Sequence, residues 1–264
     1  DASYNYSSNQ YELKSRDTLT SRLSDALNGY GMCDRNAPGA APGVGDCRWF
    51  NPFGNSILAA PGSALYNDPA LTQWMDNDVI VNGASSLAVW DFIAAQDSLF
   101  EVPAGAVGLA VGAQYRDAKV RSDPDERVQE GQFVFSSVNT PYSGSQDVWA
   151  VFAELAIPVA DSIEMQLAAR FEEYGGEIGN TFDPKIAVRW APTDTLALRA
   201  SAGTSFRAPT ILQQRSITTG LEYIPSPSGG AFARIPTTGN EGLQPEESTN
   251  YNLGVIWEPT DQLS

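Results

Sequence analysis

The sequence has no histidine, two cysteines and three methionines in 264 residues. Without histidine there is no Ser-His-Asp triad and no Cys-His pair, and the commonest metal-ligating side chain is missing. No stretch approaches the ~18 consecutive apolar residues of a membrane helix. Positive charge is also scarce: 16 Lys and Arg stand against 32 Asp and Glu, a net charge of −16. Phosphate backbones are held by clustered Lys and Arg, and no such stripe occurs, so no nucleic-acid partner is expected. A Gly-rich phosphate loop is lacking too. Carboxylate pairs such as Glu172-Glu173 and Glu246-Glu247 are too ordinary to carry glycosidase chemistry. These absences point away from an enzyme, a metal site or a cofactor.

Cys33 and Cys47 close a short segment rich in Gly, Ala and Pro. A zinc site needs more ligands than two thiols supply. In an oxidising compartment the pair is expected to form a loop disulfide worth roughly 3 kcal/mol through chain entropy. The chain opens Asp1-Ala2-Ser3-Tyr4 with no signal peptide, and Thr260–Ser264 follows a turn signal where another strand would begin. It therefore reads as a piece of a longer, exported protein.

What is present is period-two alternation, from about Val107 onward. Val107, Leu109, Val111, Ala113 and Tyr115 alternate with Gly108, Ala110, Gly112, Gln114 and Arg116. Trp149, Val151, Ala153, Leu155 and Ile157 form the next apolar row, with Phe152 and Glu154 opposite. Ile163, Met165, Leu167, Ala169 and Phe171 face away from Glu164, Gln166, Arg170 and Glu172. Ile186, Val188 and Trp190 oppose Lys185 and Arg189; Leu196, Leu198, Ala200 and Ala202 oppose Arg199 and Ser201; Tyr251, Leu253, Val255 and Trp257 oppose Asn250 and Asn252. Mean hydropathy is only −0.25, as expected where lumen-facing residues dilute lipid-facing ones.

A soluble sandwich would alternate in the same way, so the connections decide. Short turns at Pro103-Ala104-Gly105, Pro158–Ser162, Pro192-Thr193-Asp194 and Pro259-Thr260-Asp261 alternate with long polar connections at about 117–145, 173–183 and 204–249. Short turns at one end and long loops at the other describe an outer-membrane barrel. Strands of ~10–13 residues suit a tilted membrane strand. Tyr115, Trp149, Phe171, Tyr174, Trp190 and Trp257 are placed as an interfacial girdle. Tyr4–Ser15 and Leu87–Phe100 read as two earlier strands, the second with imperfect alternation. The region 16–86 between them reads as a long extracellular loop holding the cysteine pair and a short helix near Pro69–Asn77. Asp76 and Asp78 stand in an Asp-Asn-Asp run, but the glycine and terminal glutamate of a calcium loop are missing; a solvated loop is expected there.

Four segments stand out: Asp183-Pro184-Lys185, Arg189–Asp194, Ala200-Ser201-Ala202-Gly203-Thr204-Ser205-Phe206-Arg207-Ala208-Pro209 and Gly242-Leu243-Gln244-Pro245-Glu246-Glu247-Ser248-Thr249-Asn250-Tyr251-Asn252-Leu253-Gly254. In their order and spacing they resemble TonB-dependent outer-membrane receptors. Upstream, Phe50-Asn51-Pro52-Phe53-Gly54 and Leu99–Gly105 are similar to segments of the same family. The resemblance implies that all of residues 1–264 belong to one antiparallel transmembrane β-barrel domain, a partial all-β wall of about eight to ten of 22 strands. It implies an outer-membrane location in a Gram-negative bacterium, lipid and lipopolysaccharide around the wall, and coupling to TonB-ExbB-ExbD through a plug that this sequence does not contain. It implies import of a scarce nutrient, a ferric siderophore or an oligosaccharide foremost. A passive porin-like or adhesin barrel and a secreted all-β carbohydrate-binding protein are the alternatives.

Parity adds one inference independent of the resemblance. Counting along the strands places Arg207 and Glu246 on the lumenal side at similar heights, able to pair with each other, a plug or a ligand. A rim ion pair worth under about 1 kcal/mol is the simpler role. The loop aromatics Trp49, Trp74, Tyr142 and Tyr223 are candidates for stacking on a sugar ring or an aromatic chelate. Arg116, Arg170, Arg189, Arg199, Glu154, Glu164 and Glu172 would line the lumen.

Overall fold

The computed structural model describes residues 1–258. The expected turn at Pro259-Thr260-Asp261 lies outside them. The strands are β1 (Ala2–Thr18), β2 (Asp76–Val102), β3 (Gly105–Pro124), β4 (Val138–Asn139), β5 (Tyr142–Ala160), β6 (Ile163–Gly175), β7 (Gly179–Thr193), β8 (Leu196–Arg207), β9 (Ile217–Ile224), β10 (Ala231–Thr238) and β11 (Glu246–Trp257). Four short helices lie between them: α1 (Thr20–Leu27), α2 (Pro69–Met75), α3 (Glu126–Gln129) and α4 (Ile211–Arg215).

Eight strands form one sheet in the order β1-β2-β3-β5-β6-β7-β8-β11, and every neighbouring pair is antiparallel. β1 and β11 are its open edges, so the sheet is a wall rather than a closed barrel. Strict pairing carries the alternation across the strands. Leu167 lies opposite both Leu155 and Ile186, and Val188 opposite both Met165 and Ala200. Between the short turns and the aromatic row one face is therefore largely apolar and the other largely polar. On edge strand β11, Tyr251, Leu253, Val255 and Trp257 are all more than two-thirds exposed. Water would not tolerate so wide an apolar face on a monomer; lipid would, at a gain of roughly 2 kcal/mol for each large side chain it covers.

Aromatic rings cross that face in a row. Tyr4 pairs with Trp90, Trp90 with Tyr115, and Tyr115 with Trp149; Trp149 packs on Phe171, which pairs with Phe182. Trp190 and Trp257 lie towards the short-turn end of their strands. The eight steps from Phe182 to Trp190 (190 − 182) cover about 26 Å of strand, or about 20 Å across a sheet tilted by ~40°. With the rings at both ends this matches an apolar band of ~25 Å.

Several boundaries differ from the sequence reading. The strands run from 12 to 27 residues in the main sheet, because several continue past the aromatic row, where polar residues point both ways and loops cover part of the sheet, so alternation carries no signal. The loop region 16–86 contracts to residues 19–75, with Arg16–Thr18 in β1 and Asp76–Ser86 in β2. Asp76 and Asp78 are strand residues paired with Arg16 and Lys14, at 3.9 and 2.8 Å, rather than solvated loop carboxylates. The 117–145 connection contracts to 125–141, and Tyr142 opens a strand. The 173–183 connection is a tight turn: Gly175, Gly176 and Gly179 adopt φ of +67°, +57° and +70°, and a backbone that reverses this way needs little length. The 204–249 loop becomes 208–245 and holds α4 and the β9–β10 hairpin. The imperfect alternation of Leu87–Phe100 arises because apolar side chains point both ways there, Leu87, Val89 and Ile93 to one face and Trp90, Phe92 and Ala94 to the other; the register shift between Gln96 and Phe100 moves the pairing by two residues and leaves the facing unchanged. Tyr174 is not part of the girdle; it shares the polar face with Glu172.

Candidate functional site

Two regions gather polar chemistry: the polar face of the wall, and the long-loop end above the aromatic row. On the polar face a connected network crosses from β2 to β6. Gln114 donates to Asp91 at 2.6 Å, and Arg170 donates to Gln114 at 2.9 Å. Arg170 also donates through Nε to Glu172, whose second oxygen accepts from Arg116 and from the Tyr174 hydroxyl, each at 2.6 Å. The Glu172 side chain is 4% exposed. A carboxylate so enclosed stays charged only because two guanidiniums and a phenol satisfy it. The intervening strand β5 offers the small Ala150 below the bridge, and its Phe152 ring lies 5.8 Å beneath the Arg170 guanidinium. Phe152 in turn covers Gly112, where a Cβ would stand 2.3 Å from the ring. Alternation had placed Arg116, Arg170 and Glu172 on this face. That they meet, and that Gln114, Asp91 and Tyr174 join them, depends on register, which no pattern within a single strand reveals.

At the long-loop end the three long connections pack on one another. Leu19 of the first pairs with Phe133 of the second, and with Val79 and Val128 they form a small core. Asp17, at the top of β1, accepts from the Ser136 backbone and hydroxyl, both at 2.6 Å, and from the Phe135 backbone at 3.1 Å. β4 of the second connection pairs with β9 of the third, and Arg234 donates to the Phe133 carbonyl. Cys33 and Cys47 are disulfide-bonded with their Cα atoms 4.9 Å apart.

The candidate residues fall at separate points of this assembly. Arg207 and Glu246 are direct cross-strand partners with charged ends 3.8 Å apart, and both side chains are about two-thirds exposed or more. No other ion pair or aromatic contact joins two of the candidates among the described residues. Trp49 lies against Gly29 and Gly43, which leave room for its indole, and remains 56% exposed. Trp74 sits on α2 beside the Ala26, Leu71 and Met75 core, with the Arg22 guanidinium 5.4 Å above its ring; its surface is largely spent on the loop's own packing. Tyr142 is half-buried at the start of β5. Tyr223 stacks on Phe232 across the β9–β10 hairpin with ring centres 5.4 Å apart, the one exposed aromatic pair among the loops named here.

A two-faced antiparallel sheet with an aromatic row, short turns at one end and packed loops at the other is part of the wall of a large transmembrane β-barrel. The family model of the TonB dependent receptor-like β-barrel matches residues 1–264, and the chain belongs to that family, one of transport receptors of the outer membrane. Among solved structures it is similar to the siderophore receptor PirA from Acinetobacter baumannii, at 17% identity and a TM-score of 0.51 over 70% of this chain and 30% of that one. It is also similar to a mutant of the ferric enterobactin receptor PfeA from Pseudomonas aeruginosa, at 20% identity and a TM-score of 0.50 over 75% of this chain and 27% of that one. The chain thus spans less than a third of either receptor. At such identities the likeness concerns the fold. No curated protein matches the sequence.

Proposed function

We propose that this wall belongs to an active importer of the Gram-negative outer membrane, which captures a scarce nutrient at its extracellular loops and passes it to the periplasm with TonB-ExbB-ExbD supplying energy. The observation that carries the reading is the eight-stranded, two-faced sheet in a chain that matches the receptor barrel family from end to end. The outer membrane has no nucleotide supply, so uptake against a gradient needs an external drive, and the family's coupling to the inner membrane provides one. A ferric siderophore or an oligosaccharide is the proposed cargo. Of the two solved structures described above, one is named a siderophore receptor and the other a ferric enterobactin receptor. The exposed Tyr223–Phe232 pair offers π-faces to an aromatic chelate or a sugar ring alike. Arg207 and Glu246 stand at the same rim, where an exposed ion pair costs little to open in favour of a ligand; Trp49 and Tyr142 are the further contacts proposed.

The test is uptake by cells producing the intact receptor, with and without TonB. Radiolabelled ferric siderophores and oligosaccharides should enter only with TonB present, and Tyr223→Ala with Phe232→Ala should weaken capture while leaving the barrel folded. Uptake that continues unchanged without TonB would identify a passive pore. A receptor found in the soluble fraction would remove the membrane assignment altogether.

A further inference from the structure

The first long connection, between β1 and β2, carries a loop with its own lock. Asn51 and Asn67 clasp its base reciprocally: the Asn51 backbone donates to the Asn67 side-chain oxygen, and the Asn67 side chain donates to the Asn51 carbonyl, both at 2.8 Å. The Asn51 side chain also donates to the Leu65 carbonyl at 2.9 Å and to Asn55 at 3.0 Å. Backbone turns from Phe53 to Ser56, Ala60 to Ser63 and Ser63 to Tyr66 fold what lies between. Such a loop, closed at its ends and bonded within itself, is an Ω-loop; it keeps its shape without help from the wall. Its large apolar side chains nevertheless point into solvent: Phe53 is 71% exposed, Ile57 83% and Leu58 92%. Trp49–Asn67 is also the longest uncharged run in a chain of which 18% is charged. A preformed, charge-free, apolar tip is a surface that water disfavours and that the cores of interfaces are made of.

Height sets lipid aside as the cover. Fourteen residues of β2 separate Trp90 in the aromatic row from Asp76 (90 − 76), which lifts the end of the strand by about 35 Å at a tilt of ~40°. α2 has seven residues; with its flanks it returns at most about 20 Å, so the base of the loop stays roughly 15 Å above the row even if α2 pointed straight down. The connections of this wall already pack on one another in series, the first on the second through Leu19 and Phe133, the second on the third through β4 and β9. That series stops at β1, an open edge of the sheet, in a chain that spans less than a third of the receptors it resembles in fold. We propose that Phe53, Ile57 and Leu58 dock on an apolar extracellular loop carried by the wall that continues beyond β1, extending the loop-to-loop packing around the mouth of the intact receptor. This rests on the barrel reading above. A separate protein or an apolar cargo fits less well, because either would leave the tip in water whenever it was away.

Photo-crosslinking tests this in the intact receptor in its membrane. With Leu58→p-benzoylphenylalanine, irradiation should join position 58 to a residue of the same chain outside residues 1–264, seen by mass spectrometry as an internal link without a partner's added mass. A link to lipopolysaccharide, to a separate protein or only within residues 1–264 overturns the proposal, and so does no link at all. Proteolysis supplies a second readout, since an undocked loop opens more often. Ile57→Ser combined with Leu58→Ser should let an added protease cut the first connection several-fold faster on intact cells. Cutting that is unchanged or slower means the tip was already free in water, and equally overturns the docking. Fast migration of the unboiled receptor on a denaturing gel verifies that the barrel forms. A receptor without that signature overturns the barrel reading first, and the docking only as its consequence.

Discussion

At the scale of single residues, Glu172 is the side chain whose loss should be felt most. Its carboxylate is the common acceptor for Arg116, Arg170 and Tyr174, and removing one partner of an enclosed ion pair strands the others. Glu172→Ala is expected to cost about 3 kcal/mol, read as a lower denaturant midpoint for loss of the folded barrel. Glu222→Ala, on the exposed β9–β10 hairpin, should stay within about 0.5 kcal/mol. A second residue-scale test concerns Gly112. With Phe152 at 2.3 Å from any added Cβ, Gly112→Ala must push the ring away and disturb the Arg170 stack above it. A loss of about 1–3 kcal/mol is expected, recovered only in part when Phe152→Ala is added, since the Phe92 carbonyl oxygen also stands 2.8 Å from that Cβ. Should the double variant be no more stable than the single one, the ring does not set the requirement for glycine. In the sequence neither residue stands out: Glu172 is half of an ordinary Glu-Glu pair, and Gly112 one small residue among several.

At the scale of elements, facing was legible and extent was not. The side of β6 that meets lipid can be told from Ile163, Met165, Leu167, Ala169 and Phe171 alone, because a period of two has only two phases. Where β2 begins cannot, since Asp76–Ser86 lies beyond the aromatic row, where Val79 packs under the loops and the run Val79-Ile80-Val81 breaks the alternation. The same blindness made Gly175–Gly179 look like part of a long loop: polar residues signal a connection, whereas left-handed glycines decide how tight it is. The candidate pair Arg207–Glu246 was legible by counting; the Glu172 network needed three registers at once. Facing yields a sharp prediction on one strand. Leu167 lies mid-strand on the apolar face, so Leu167→Arg should cost about 2–4 kcal/mol for insertion into vesicles. Gln166→Arg, one residue away and facing Glu154, should insert almost as well as the unaltered protein. Equal penalties at both positions would mean that the two faces do not meet different solvents.

At the scale of the whole molecule, the wall has a direction, and that direction is testable in living cells. The long connections, joined by the Leu19–Phe133 core, the Asp17 brace and the β4–β9 pairing, stand beyond the aromatic row at one end. The turns at Pro103-Ala104, Asp161-Ser162 and Asp194-Thr195 mark the other. An apolar band of ~25 Å separates the two ends. Cys33 and Cys47 are bonded to each other, so neither competes with an introduced cysteine for the label. Ser226→Cys, at the tip of the β9–β10 hairpin, should react with a membrane-impermeant maleimide on intact cells. Asp194→Cys, in a short turn, should react only after the outer membrane is opened, and Leu167→Cys, among the lipid-facing side chains, with neither treatment while the protein stays folded. The pattern depends on no ligand and on no partner, only on which end of the strands faces outward. Reaction of Asp194→Cys on intact cells would invert the wall, and would move the Tyr223–Phe232 pair and the Arg207–Glu246 rim away from any nutrient arriving from outside.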